Sequence, residues 1–462
     1  MTATTTSGHR SAGQIGRTEA GPRPLPPLAT FLGAPVPDVV DATVSNGLRV
    51  LAVRRPTVPM VELRLRVPFA DSDPAHTAQA ELLSSAMLTG THCRSRVELD
   101  NELATVGADL GVGVDPERLG VYGSALADGL PTMLDVLADV LTSAAYPPAE
   151  VDRERERLVE RITVTRAQPR VIAREALQRR RYGDHPISRE IPTGAEVEAV
   201  TQEQLRALHA GAVVPAGSTL VLVGDLDPEA VIGQVEQALQ GWSTDHPATE
   251  LDEPPLVRGD DLLLVHRPGA VQSQLRLSAA AMPRSDERYP AFQLANMVLG
   301  GYFSSRLVEN LREDKGYTYS AYSAVEFMRN SGSLLVEADT ATDVTAAALW
   351  EMRYELGRLG LVPPTTDEVD SARRYAIGSL LISLDSQAGL AGTLSALTSA
   401  GLDVEWLRRH PERLAAVTTE EVAAVAAEFF APTAFTGVVV ADVDATGERL
   451  RALGGVVGPE SS

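Results

Sequence analysis

The hydrophobic pattern changes period along the chain, and each change marks an element. Residues 39–70 (VVDATVSNGLRVLAVRRPTVPMVELRLRVPFA) carry β-branched runs with polar alternation, which predicts strands, and Asn46-Gly47 supplies a hairpin turn. Residues 74–89 and 96–107 show helical spacing, the second ending at Gly107, and 119–127 (LGVYGSALA) predicts a further strand. Helices over 129–145, 148–181 and 201–211 follow, with a Gly183-Asp184-His185-Pro186 loop before the last, and then a strand over 219–227. The order then returns: strands at 262–267 and 273–281, helices at 287–300 and 304–313, a strand at 331–340, and helices at 341–359, 366–400 and 403–415.

The return is also visible in the residues. VTQEQLRALHAGAVVPAGSTLVLVGDLD (200–227) aligns without a gap on VTTEEVAAVAAEFFAPTAFTGVVVADVD (417–444), matching Pro215 with Pro432, Asp225 with Asp442 and Asp227 with Asp444. This duplication predicts an α+β fold of two homologous halves. Each half is expected to be an α/β sandwich-like unit, a mixed sheet flanked by helices. The boundaries read as a disordered tail at 1–30, a first half at 31–242, a Pro-, Asp- and Glu-rich linker at 243–260 and a second half at 261–457. Two such halves on a flexible strap can form a clamshell.

Composition narrows the function classes. The 462 residues, 44% hydrophobic and 22% charged, suit an ordinary globular protein with more than one core. A net charge of −21 argues against nucleic acid as a partner, because phosphate binding needs a basic face. Cys93 is the only cysteine, which excludes an intrachain disulfide and a Cys-rich metal site; it reads as a small buried hydrophobe. No apolar run approaches the ~20 residues of a membrane span, and the first 30 residues lack the apolar core of a signal peptide. The expectation is a cytoplasmic protein with no membrane partner.

The stretch LGGYFSSRLVENLREDKGYTYSAYS (299–323) holds the candidate chemistry. Gly300 and Gly301 end one helix, Ser304 or Ser305 can cap the next, Arg312 lies near its end and Gly316 suits a turn. Tyr317, Tyr319 and Tyr322 then alternate as on a strand, with Tyr317 and Tyr319 on one face. Arg312 and Tyr319 can thus converge across a tight helix-to-strand turn. A structural role also fits, since Arg is favourable at a helix C-terminus and Tyr is common in strands.

The same stretch resembles the C-terminal-half signature of the pitrilysin/insulinase metallopeptidases, S-R-L-x-x-x-L-R-x-x-x-G-x-x-Y. The matching residues are Ser305, Arg306, Leu307, Leu311, Arg312, Gly316 and Tyr319. The resemblance extends from about residue 39 to 445, with further matches at GDHP (183–186), VGD (223–225) and RERERLVERI (153–162). It implies that Arg312 and Tyr319 bind substrate backbone and stabilise a developing oxyanion, and it puts Gly300, Gly301 and Ser305 on the substrate-binding side.

That family is similar to H-x-x-E-H zinc enzymes, in which two His bind the metal and Glu activates water. Here Gly90-Thr91 sets the register of AELLSSAMLTGT (80–91). The two His positions become Glu81 and Ser85, the catalytic Glu becomes Ser84, and the third ligand, on the later helix, becomes Arg161. A relocated site from His76, Glu81 and His92 has the wrong spacing, and these His read as solvent-exposed side chains near helix ends.

The chain is therefore expected to hold no metal or other cofactor itself. The resemblance implies a heterodimer: a non-zinc subunit supplying Arg312 and Tyr319 to a zinc-bearing homologous peptidase subunit, with a peptide as substrate, for proteolysis or precursor processing. The alternatives are a catalytically inert structural or binding pseudoenzyme of the same family, and a self-sufficient enzyme with an unusual metal site. A pure scaffold has no need of both Arg312 and Tyr319.

Overall fold

A computed structural model describes residues 37–244, 246–329 and 331–458. The tail expected at 1–30 lies outside them. The first half opens with β1 (Val39–Thr43), β2 (Arg49–Arg54) and β3 (Met60–Pro68), then α1 (His76–Ala86) and α2 (Arg96–Thr105). An edge hairpin of β4 (Asp109–Val114) and β5 (Arg118–Leu126) follows, and then α3 (Leu130–Ser143), α4 (Pro148–Arg166), α5 (Pro169–Tyr182), α6 (Gly194–Glu198) and α7 (Gln202–Ala212). The half closes with β6 (Thr219–Gly224) and α8 (Pro228–Leu239).

The second half has β7 (Leu262–His266), β8 (Gln272–Ala280), α9 (Tyr289–Asn296), the single turn α10 (Arg306–Val308), β9 (Thr318–Phe327) and β10 (Gly332–Ala341). It continues with α11 (Thr345–Leu361), α12 (Thr366–Asp385), α13 (Gln387–Ser399), α14 (Val404–Ala416) and α15 (Thr419–Phe429), and ends with β11 (Thr436–Ala441), α16 (Val443–Ala452) and β12 (Val456–Val457).

Each half is built on one six-stranded mixed sheet, β1-β2-β6-β3-β5-β4 in the first and β12-β7-β11-β8-β10-β9 in the second. The two orders coincide from the second strand onward, and the one parallel contact they share, β2 with β6 and β7 with β11, falls at the same place. The duplicated segment recurs in its local structure. α7 and α15 both start after a Thr whose side chain caps the helix in a capping box, Thr201 with Gln204 and Thr418 with Glu421.

Several elements differ from the pattern. Two predicted long helices are broken. The one over 148–181 stops at Arg166 and restarts at Pro169, whose missing N–H costs nothing in the first turn of a helix. The one over 366–400 breaks at Ser386, which is extended (φ −92°, ψ 152°) and caps α13 by accepting from the Gly389 N–H at 3.0 Å; the two axes differ by 112°. The helices at 287–300 and 304–313 widen into π-type turns at Met297–Gly301 and Glu309–Asp314. β4 was not predicted: Leu110, Val112 and Val114 alternate along it, but the positions between them are Gly111 and Gly113, and glycine is depleted in strands.

The layering between halves follows from which strand faces are apolar. One face of the first sheet, with Val61, Leu63, Leu65 and Leu222, packs on that half's own helices. The other presents Leu51, Val53, Val221 and Val223, and these are covered by Leu390, Ala391, Leu394 and Leu397 of α13 from the second half. Reciprocally, α5 from the first half lies on β11 and β8 of the second sheet, with Leu177 against Leu335 and Val438. Each half thus lends one helix to the other's sheet. Among the described residues of segment 243–260 there is no helix or multi-residue strand, but Val257 packs on Tyr182 and Ile187, and His185 Nε2 donates to the Asp252 carbonyl at 3.2 Å. Among the described residues no single helix is long and apolar enough to cross a membrane.

Candidate functional site

Sequence register puts Glu81, Ser84 and Ser85 on α1 and Arg161 on α4, and the fold brings those two helices together. Arg161 Nη2 stands 3.7 Å from Glu81 Oε2, an ion pair where the resemblance would place a metal. Burial raises the Glu81 pKa, and the Arg161 charge opposes that rise. The Ser84 and Ser85 hydroxyls both donate to the Glu81 carbonyl at 3.0 Å, so they are turned back onto their own helix.

These residues do not fit zinc: one carboxylate is already paired, two hydroxyls are weak ligands, and the fourth position is a cation. Among the described residues no group of three or more His, Cys, Asp or Glu side chains is placed to hold a metal. The pair borders an open cleft of about 590 Å³ that also takes in Arg157, Tyr122 and residues Leu110–Val114 of β4. Five consecutive strand residues line it, so the cleft runs along the free edge of the sheet.

Two minor expectations in this region are corrected. His76 is not at the surface: it is buried against Phe69, with Nε2 2.8 Å from the Phe69 carbonyl, while His92 is exposed. Cys93 is exposed and not a core residue, because it sits in the loop between α1 and α2.

In the second half the signature residues divide into a buried frame and two exposed side chains. Leu307 and Leu311 are fully buried in the core. Arg306, 5% exposed, makes a fork with Glu368 of α12, Nε to Oε1 at 2.6 Å and Nη2 to Oε2 at 3.0 Å. Burial alone would raise the Glu368 pKa, but the Arg306 fork and the Thr365 backbone outweigh it and hold the carboxyl at about 2. The same carboxylate completes the capping box of α12 with Thr365. Sequence reading assigned Arg306 to the signature without a role; the role is to moor the segment that carries Arg312.

Gly300 and Ser305 are buried, and Gly301 is half-buried. A Cβ on Gly300 would stand 2.7 Å from the Ser323 N, so this glycine allows close packing on β9. Ser305 occupies the cap position of α10 by its backbone conformation, but its hydroxyl makes no capping bond. Gly300 and Ser305, expected on the substrate-binding side, are thus both buried, and Gly300 packs on β9.

Arg312 is half-exposed, paired with Glu313 at 3.3 Å and stacked over the Phe303 ring at 4.8 Å. Phe303 is itself 62% exposed. Gly316 takes the expected left-handed turn (φ +65°). Tyr319 is 95% exposed, and the reason is a β-bulge. On the register of β9 with β10, Ala321 opposes Ala338 and Thr318 opposes Thr340, so Tyr319 and Ser320 together face Asp339. By simple alternation Tyr319 would share the face of Ala321, whose side chain is buried. The bulge turns it outward. The expected pairing of Tyr317 and Tyr319 on one strand face is corrected accordingly: Tyr317 precedes the strand and packs on the core.

The arrangement offers a phenol on an edge strand and a half-exposed guanidinium on the π-type turn before it, in a chain whose other half carries the Glu81–Arg161 ion pair where the resemblance would place a metal. Residues 73–193 match the family model described as Insulinase (Peptidase family M16), and residues 199–375 the one described as Peptidase M16 inactive domain. A Streptomyces coelicolor protein called an uncharacterized zinc protease is 26% identical over 431 residues, covering 90% of this chain and 93% of its own length. A Bacillus subtilis protein with the same description is 24% identical over 397 residues, covering 84% and 95%. In fold, a structure described as the peptidase M16 inactive domain from Pseudomonas fluorescens aligns with a TM-score of 0.80 at 23% identity, covering 87% of this chain and 98% of its own. A protease from Helicobacter pylori aligns at 0.79 with 18% identity, covering 88% and 100%.

Proposed function

The chain belongs to the insulinase (peptidase M16) family, and from that premise we propose that it is the non-zinc-binding subunit of a heterodimeric metallopeptidase. The observation that carries the proposal is the division of its site. The metal position holds the Glu81–Arg161 ion pair, while Arg312 and Tyr319 of the second-half signature stay at the surface with donors to offer.

In this reading the zinc stands in a homologous partner subunit, where it would activate water and polarise the scissile carbonyl. Arg312 presents a planar fork to the substrate backbone. Tyr319 donates its phenolic proton in a hydrogen bond to the oxygen on which negative charge develops. The substrate is a peptide or short unfolded segment, held in extended form along a sheet edge. The chain acts in a reducing, cytoplasmic compartment, for peptide turnover or precursor processing, and carries no cofactor of its own.

Reconstitution tests it. The purified chain is assayed on an unstructured fluorogenic peptide alone and mixed with an H-x-x-E-H homologue from the same organism. The expected result is activity only in the mixture, falling by about 10²-fold in Arg312→Ala or Tyr319→Phe with assembly unchanged. Stoichiometric zinc in the purified chain, or full activity in both variants, would overturn it.

A further inference from the structure

We infer that Thr318 is a positioning residue for Tyr319, its hydroxyl pinning the bulge that turns the phenol out of the core. This rests on the role of Tyr319 proposed above.

Thr318 is 8% exposed and starts β9 directly before the bulge. Its Oγ1 donates to the Asp339 carbonyl at 2.6 Å and accepts from the Ser320 N–H at 3.1 Å. Those two groups are the ones a bulge leaves awkward: Asp339 is the single residue facing two, and Ser320 is the extra one. One hydroxyl therefore satisfies both strands of the irregularity. Without it the Ser320 N–H and the Asp339 carbonyl must find other partners, and the regular ladder becomes competitive. A regular ladder moves Tyr319 by one residue of register, which in a strand means the opposite face. The exposed phenol is thus a product of the residue before it.

Phe303 acts on Arg312 in a parallel way, but only through stacking. Thr318 is the stronger case because its two bonds fix backbone, and the side chain of Tyr319 follows from the backbone.

The test uses the full chain in two assays. In the reconstituted mixture, Thr318→Val and the milder Thr318→Ala are expected to lower kcat about tenfold with KM within about twofold, while Thr318→Ser, which keeps the hydroxyl, stays close to the parent. Adding Thr318→Val to Tyr319→Phe should cost nothing further, since both act on one phenol. In the chain alone, nitration by tetranitromethane is followed site by site by mass spectrometry, with half-exposed Tyr122 as internal reference. Tyr319 should be nitrated first in the parent and several-fold more slowly, relative to Tyr122, in the Val and Ala variants.

Equal nitration in all four proteins, equal loss in Ser and Val, or additive losses in the double variant would overturn the role of Thr318. If Tyr319→Phe leaves activity intact while nitration changes as expected, the proposed function fails and the positional role of Thr318 stands.

Discussion

Arg161 Nη2 and Glu81 Oε2 meet 3.7 Å apart between α4 and α1. By the family resemblance one stands at a third-ligand position and the other at a first-ligand position, and there a side chain supplies positive charge. The half-buried Glu81 carboxylate thus has a counter-charge across the helix pair.

That balance gives a pH signature. Burial raises the Glu81 pKa, so the ionised carboxylate is disfavoured in the fold, and Arg161 offsets part of this. Arg161→Ala removes the offset and raises the Glu81 pKa further. For a carboxyl with a raised folded value, the penalty is present at neutral pH and vanishes as pH falls below the unfolded value of about 4.3. Because Arg161 is 62% exposed, the effect is small, about 0.5 kcal/mol. Urea midpoints of parent and variant should differ at pH 7 and converge near pH 4. A difference that persists at pH 4 would assign the loss to packing.

Glu368 behaves oppositely. Its carboxyl is held at about 2 by the Arg306 fork and the Thr365 backbone, against burial. A depressed folded value contributes stability above the unfolded pKa that is lost as pH falls toward 2. Glu368→Gln leaves Arg306 buried with its fork unmade, which costs about 3 kcal/mol at pH 7. The cost should shrink steadily between pH 4.5 and 2.5, read by chemical unfolding at each pH.

Phe303 is an exposed ring whose stacking partner is Arg312. Phe303→Ala should leave the melting temperature within about 1 °C, because little apolar area is covered there. It should weaken peptide turnover in the mixture about two- to fivefold, the value of one exposed cation–π contact. Phe303→Tyr should restore it. A loss of stability matching the loss of turnover would make Phe303 a structural residue only.

Leu394 sits on α13, fully inside the face of the first sheet that α13 covers. Leu394→Ala should cost about 3 kcal/mol by transfer and cavity terms. Although the residue belongs to the second half, hydrogen exchange should rise in β2 and β6 of the first. Faster exchange confined to the second half would contradict the reciprocal packing.

Much of this molecule was legible in its residues. The Gly90-Thr91 register singled out Glu81 on one helix and the match over RERERLVERI singled out Arg161 on another, and the fold sets the two side chains 3.7 Å apart. The duplicated segment predicted strands and helices that recur at matching positions. What escaped was local irregularity. The bulge at Tyr319–Ser320 defeats alternation, and nothing in a stretch such as TYSAYS distinguishes a bulged register from a regular one. Pro169 and Ser386 broke helices that hydrophobic spacing carried straight through. The burial of Gly300 depended on β9, a partner that spacing does not reveal.

The exchange of α5 and α13 bears on what the strap at 243–260 is for. Covalent connection is not what keeps the halves together, since each finishes the other's apolar cover. Hydrolysis within the strap should therefore leave two fragments that still elute as one species in size-exclusion chromatography. The chain can be regarded as a dimer of its own repeats, fused head to tail, in which the tether sets stoichiometry while the borrowed helices do the holding.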